Sequence, residues 1–255
     1  MPAVGPAIRL GLVNASTLVT NADAKRMASA VSLQVKRDFA PRWYRTPAPL
    51  AFYSSLAAVP ADVWVLTLLD DSDEADALGY HDETPDGRVY ARVFCRDTLT
   101  HGGTVLQGPN SVSVTLSHEV LELLADPNVN LWADDGGSRE LALEVGDPVE
   151  ATSYEVKGVT VSNFVLQSYF DVHSRAGVYD FLGLLKKPWA MLPGGYQILR
   201  SGGAITQKFG RAVPAWKKQA KSFPAARTAR RAAGATPGAL TPRRKPRSAA
   251  SARTR

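Results

Sequence analysis

A histidine and two glutamates stand at positions i, i+1 and i+4 of one apolar stretch: His118, Glu119 and Glu122. Residues four apart lie on one face of an α-helix, so His118 and Glu122 are placed to bind a metal ion together. Glu119 lies about 100° further round the helix, beside the open side of such an ion. The spacing therefore predicts a metal-dependent hydrolase helix in which Glu119 acts as general base towards a water.

The last ligand position of this motif carries Glu122, where the common His-Glu-x-x-His motif has a second histidine. A carboxylate oxygen is a competent zinc ligand. Because carboxylate is a harder metal ligand than imidazole, the replacement makes the site less selective for zinc. We expect Zn²⁺, with Mn²⁺ or Ca²⁺ as alternatives.

The flanking residues predict the helix that must position the motif. Residues 108–111 offer a turn and an N-cap, and Pro127 ends the apolar pattern just after Asp126. Short motifs also arise by chance. The competing interpretation is an ordinary helix in which His118 is hydrogen-bonded and the two glutamates are solvated carboxylates.

A second acidic cluster follows the helix, in residues 144–150. A catalytic zinc needs three protein ligands and one open position, and the helix supplies only two. We expect Glu144 or Asp147 to supply the third ligand and the other residue to support the His118 ring, as metal-bound histidines usually require. The residue types alone leave both assignments open.

The residues from Ser117 to Asp147 resemble the core of the zincin-type metallopeptidases: Ser-His-Glu-x-x-Glu is followed by Asp-Pro, a tryptophan and Glu-x-x-Asp. They are similar to the divergent group with glutamate in place of the second histidine, and to Exordium-like plant proteins and bacterial and phage proteins. The resemblance implies a zincin-like fold with a metal-binding active-site helix. It also implies Glu144 as third ligand and Asp147 as support for His118.

The remaining pattern predicts an α+β domain with a mixed sheet and an N-terminal helix. A helical period of apolar residues runs from Asn21 to Phe39, with Asn21 as N-cap. The continuously apolar strand at residues 63–69 is expected at the centre of the sheet. The other predicted strands are residues 50–53, 88–95 and 141–145, and a hairpin in residues 154–166 that turns at Lys157-Gly158.

Three histidines lie outside the motif: His81, His101 and His173. His81 precedes a Pro-Asp-Gly turn and is expected on an edge strand bordering a cleft. His101 stands beside two glycines, as in a loop. Histidine occurs readily in structural positions as well as in catalytic ones. We expect all three to have a surface or hydrogen-bonded structural role.

Composition and length bound the class of protein. The chain of 255 residues, 45% of them hydrophobic, suffices for one large domain or two small ones. The single cysteine, Cys95, excludes an internal disulfide framework and a cysteine-rich zinc cluster. The sequence has no run of about 20 apolar residues and no basic start of a secretory signal. We expect no membrane partner and a cytoplasmic or virion-associated location.

The net charge of +6 hides a division of the chain. All 24 acidic residues lie in residues 1–180 with 13 of the 30 Lys and Arg, whereas the rest carries 17 basic groups and no acidic ones. From Phe223 onward few large apolar residues remain, which predicts disorder. We expect a zincin-like domain in residues 1–205 and a basic tail in residues 206–255 that binds nucleic acid or an acidic partner.

These expectations combine into one function and one alternative. The expected function is a zinc-dependent metallopeptidase or related hydrolase acting on a peptide or protein substrate. His118, Glu122 and Glu144 or Asp147 would hold the metal, and Glu119 would transfer protons. The alternative is a non-catalytic structural or virion-associated protein that keeps the zincin-like body and docks on nucleic acid through its tail.

Overall fold

The computed structural model describes residues 8–43, 45–73 and 77–215. The strands in these residues are β1 Leu10–Asn14, β2 Leu50–Tyr53, β3 Trp64–Leu69, β4 Gly79–Glu83, β5 Val89–Phe94, β6 Trp132–Asp134, β7 Arg139–Ala142, β8 Ser153–Val156, β9 Val159–Ser162, β10 Tyr196–Ser201 and β11 Ala204–Phe209. The helices are α1 Asn21–Gln34, α2 Ala40–Trp43, α3 Cys95–Thr100, α4 Val112–Ala125 and α5 Gln167–Phe170. A π-helical segment, Val35–Phe39, joins α1 to α2, and short 3₁₀ turns span Leu56–Ala58 and Asp147–Val149.

The main sheet contains five strands in the order β2-β1-β3-β5-β4. The first four are parallel to one another, whereas β4 runs antiparallel to β5 and forms the edge of the sheet. The expected central position of β3 is confirmed, and its residues Leu66 and Leu68 are fully buried. Burial of the three consecutive residues 66–68 is typical of parallel strands covered on both faces.

Helices α1 and α4 pack on the sheet and on each other, and α4 also contacts β4, β5 and β9. The predicted helix from residue 21 to residue 39 is confirmed, although its last five residues are π-helical. The predicted cap was wrong by one residue. Thr20 caps α1 by accepting a hydrogen bond from the Asp23 amide, whereas the side chain of Asn21 accepts one from Asn14.

A second, antiparallel sheet has the order β11-β10-β7-β6, and β8 pairs with β9 as a separate hairpin. The hairpin turns at Lys157 and Gly158, whose φ angles of 52° and 70° confirm the predicted turn. Strand β10 contacts the 3₁₀ turn that begins at Asp147. The second sheet therefore helps to place the acidic cluster beside α4.

Among its described residues, the structure is a mixed α/β protein with a mixed sheet and few helices. The predicted combination of helices with a mixed sheet is therefore confirmed. Strands β1, β6, β10 and β11 were not predicted. Strand β11 continues past residue 205, where the tail was expected to begin. Most of the predicted tail lies in residues 216–255, outside the described residues. In the described part of the chain, no helix combines the length and apolar character of a membrane span.

Candidate metal centre

Helix α4 buries the motif instead of presenting it to solvent. Ser111 caps the helix by accepting a hydrogen bond from the Val114 amide. The residues His118, Glu119 and Glu122 are only 7%, 5% and 3% exposed. The competing expectation of solvated carboxylates is therefore wrong. Buried charges of this kind require partners or a metal ion, because desolvation of an isolated carboxylate is costly.

Ser117 fixes the helix to the neighbouring hairpin. Its hydroxyl donates to the Val114 carbonyl and accepts a hydrogen bond of 2.6 Å from the Ser162 amide of β9. Both Ser117 and Ser162 are completely buried. The residue that opens the motif thus sets the position of α4 against β9.

The two nitrogens of His118 have different surroundings. Nε2 lies 3.2 Å from Glu122 Oε1 and 3.2 Å from Asp147 Oδ1. Nδ1 faces the backbone of Gly146, where a Cβ atom would lie only 2.4 Å away. The Gly146 amide in turn donates to Glu122 Oε1 at 3.1 Å. Nε2 is consequently the nitrogen available to an ion, together with carboxylate oxygens.

The candidate metal centre is formed by His118, Glu119, Glu122 and Asp147. Negative charge dominates its electrostatics. Burial alone would lower the pKa of His118, but the carboxylates of Glu122 and Asp147 outweigh it and raise that pKa well above its usual value. Burial would raise the pKa of Glu122, but the adjacent His118 lowers it instead. Burial raises the pKa of Tyr196 well above its usual value, and Asp147 and Glu122 add to this effect. The centre therefore favours a positively charged occupant.

The acidic cluster joins the helix, as the sequence predicted. Glu144 and Asp147 are 3% and 1% exposed. Asp147 faces the same nitrogen of His118 as Glu122 does, and not Nδ1, where a supporting residue would lie. Glu144 lies in a different group, in which ligand atoms of His81, Glu122 and Glu144 are all within 4.8 Å of one another.

The donor set fits a divalent cation. Ligand atoms of His118, Glu119 and Glu122 also lie within 4.8 Å of one another. Glu119 Oε2 is buried and makes no hydrogen bond to the described residues. A mixed set of imidazole nitrogen and carboxylate oxygen is compatible with zinc and with harder ions.

His81 lies beside the motif helix, a position that its sequence context did not reveal. Its expected place on an edge strand is confirmed, since β4 is the edge of the main sheet. The ring is fully buried, and its Nδ1 points at Glu119 and Glu122. The only sequence signal was a histidine in the middle of a short strand, which does not reveal that α4 packs across it.

The other two histidines lie at the surface, as expected. His101 is exposed at the end of α3, and its Nδ1 lies 2.7 Å from the Asp97 carbonyl oxygen. His173 is exposed in the loop after α5. Neither belongs to the groups of residues that can hold a metal ion among the described residues.

Comparison with known proteins adds no assignment. The chain matches no protein-family model, no curated protein and no solved structure.

Proposed function

We propose that the chain is a zincin-like, metal-dependent hydrolase, with a zinc-dependent metallopeptidase as the specific activity. The observation that supports this most directly is the buried juxtaposition of His118 Nε2 with Glu122 and Asp147, beside a Glu119 oxygen without a hydrogen-bond partner. An ordinary structural helix has no need for such a concentration of buried carboxylates.

His118 and Glu122 are the proposed ligands from α4, with Glu144 or Asp147 as the third. The position of Asp147 at His118 Nε2 favours Asp147. Gly146 holds the ring from the opposite side and hydrogen-bonds Glu122, so it orients two ligands at once. When bound, a Zn²⁺ ion would lower the pKa of a water and polarise a carbonyl, and Mn²⁺ or Ca²⁺ would do so more weakly.

Glu119 is the proposed proton carrier. It takes a proton from the attacking water and returns it to the leaving amine. Its carboxylate belongs to the same close group as His118 and Glu122. Because several carboxylates surround the centre and its side chains are nearly closed to solvent, we expect slow hydrolysis of a narrow range of peptide bonds.

The alternative function is a non-catalytic structural or virion-associated protein with a zincin-like body. Near-complete burial of the centre favours it, because a structural ion needs no substrate access. In that case the basic C-terminal part would bind nucleic acid or an acidic partner. A cytoplasmic or virion-associated location is proposed for either function.

Glu119→Gln separates the two functions. In the hydrolase, this variant keeps its metal but loses about 10²–10⁴-fold in rate on a peptide library, since a general base contributes that much. The matched control is Glu155→Gln, which changes an exposed glutamate on β8. Equal cleavage by wild type and Glu119→Gln, or no cleavage by zinc-loaded wild type, would contradict the proposed activity.

A further inference from the structure

The hydrogen bonding of His81 fixes which of its nitrogens carries a hydrogen. Nε2 lies 3.1 Å from the backbone carbonyl oxygen of Asp126. A carbonyl only accepts, so Nε2 is the donor. In the neutral ring Nδ1 then presents a lone pair. This is the arrangement in which a carbonyl orients a metal-binding histidine.

The lone pair of His81 Nδ1 points into a group of acceptors. Nδ1 is fully buried without a hydrogen-bond partner among the described residues, and it lies 3.5 Å from Glu119 Oε2 and 3.9 Å from Glu122 Oε2. These separations exceed the usual length of a charge-assisted hydrogen bond, about 2.7–2.9 Å. Two ligands of a tetrahedral zinc are separated by about 3.3–3.6 Å, given bond lengths of about 2.0–2.2 Å. The spacing therefore suits an intervening cation better than a shared proton.

Glu122 presents a different oxygen to each histidine. Oε1 faces His118 Nε2 at 3.2 Å, and Oε2 faces His81 Nδ1 at 3.9 Å. Glu144 completes a group with His81 and Glu122 within 4.8 Å. A carboxylate that turns a different oxygen to each of two nitrogen ligands has the arrangement of a bridging ligand, which in two-metal sites holds ions about 3.5–4 Å apart.

We propose that His81, Glu122 and Glu144 form a second divalent-cation site, with Glu122 bridging it to the ion held by His118. Edge strand β4 supplies the histidine, α4 the bridge, and the segment after β7 the second carboxylate. This inference depends on the proposed function in one respect, namely the ion held by His118. Two divalent cations would also balance the buried carboxylates better than one, and Glu119 would face both positions.

The test is metal stoichiometry of the full chain. Protein stripped with chelator is reloaded with Zn²⁺, dialysed, and measured by plasma mass spectrometry, and circular dichroism verifies folding. The variant is His81→Gln, whose amide can still donate to the Asp126 carbonyl but has no ring nitrogen at the Nδ1 position. The matched control is His101→Gln, at an exposed histidine that also contacts a backbone carbonyl. His118→Ala is measured in parallel.

We expect about two zinc ions per chain in wild type and in His101→Gln, and about one in His81→Gln and in His118→Ala. Mn²⁺-loaded wild type should show the paramagnetic resonance spectrum of two coupled ions, reduced to a single-ion spectrum in His81→Gln. One ion in wild type, retained in His81→Gln and lost in His118→Ala, would overturn the second site and leave the proposed hydrolase centre intact. One ion retained in His118→Ala and lost in His81→Gln would remove the hydrolase centre but support a cation site at His81.

Discussion

At the scale of single residues, the proposed metal site depends on a few side chains, and His118 is contacted at both of its ring nitrogens. His118 has carboxylates at one nitrogen and the Gly146 backbone at the other. The sequence predicted His118, Glu119 and Glu122 because helical spacing alone brings them together. It could not choose between Glu144 and Asp147, because that choice depends on the path of the chain after β7. It also missed the orientation of His81, which depends on a contact between distant elements.

The fit of Gly146 against His118 provides a prediction at this scale. In Gly146→Ala, the new Cβ would lie 2.4 Å from His118 Nδ1, so the ring must move. We expect zinc affinity to fall about 10–100-fold, the usual effect of disturbing a residue that orients a ligand. Competition with a chromogenic chelator measures it. Gly137→Ala, in an exposed turn, is the control and should bind zinc as wild type does. Unchanged affinity in Gly146→Ala would show that the ring is not held for metal binding.

At the scale of elements, three segments converge on the centre: α4, edge strand β4 and the 3₁₀ turn after β7. Helix α4 was predicted well because its cap, its apolar face and Pro127 are all local signals. Strand β11 was missed because it alternates between exposed and half-exposed residues and has no apolar run. The zincin-like expectation came from a short motif and stays a proposal for the fold as a whole.

The loop between β1 and α1 provides a pH-dependent prediction at the element scale. Asp70, just after β3, accepts hydrogen bonds from the hydroxyls of Ser16 and Thr17 and from the amides of Thr17 and Leu18, which lower its pKa to about 2. A lowered folded-state pKa stabilises the fold above the unfolded value of 3.8 and loses this effect as the pH falls towards 2.

We therefore expect Asp70→Asn to lower the melting temperature at neutral pH, with a difference from wild type that shrinks between pH 4 and pH 2. Thermal unfolding at a series of pH values measures it. Asp62→Asn is the control, because Asp62 forms an exposed ion pair with Arg9 at the surface. A difference that stays constant down to the lowest pH would contradict the assignment of the effect to the Asp70 carboxylate.

At the scale of the whole molecule, charge is divided between an acidic body and a basic C-terminal part. Residues 1–180 have a balance of −11, whereas the remaining residues carry 17 positive charges. The acidic body places many carboxylates near one another, which favours cations over anionic ligands. Sequence composition revealed this division, but not the burial of the site residues, to which the contact of β10 with the 3₁₀ turn of Asp147 contributes.

The basic C-terminal part provides the prediction at this scale. Residues 216–255 carry 12 Lys and Arg and no acidic residue. We expect the full chain to bind a nucleic-acid duplex at low salt and to lose affinity steeply as salt rises, because phosphate contacts release counterions. A chain ending at residue 215 should not bind. Fluorescence anisotropy across a salt series measures both, and salt-independent binding or equal binding by the shortened chain would contradict the role of these residues.

The most direct measurement of the central claim is anomalous X-ray diffraction at the zinc absorption edge from crystals of the zinc-loaded chain. The account predicts a peak about 2.0–2.2 Å from His118 Nε2 and from an oxygen of Glu122. It also predicts that the peak disappears in crystals of His118→Ala. Zinc-loaded crystals without an anomalous peak at His118 would contradict the metal centre and the hydrolase built on it.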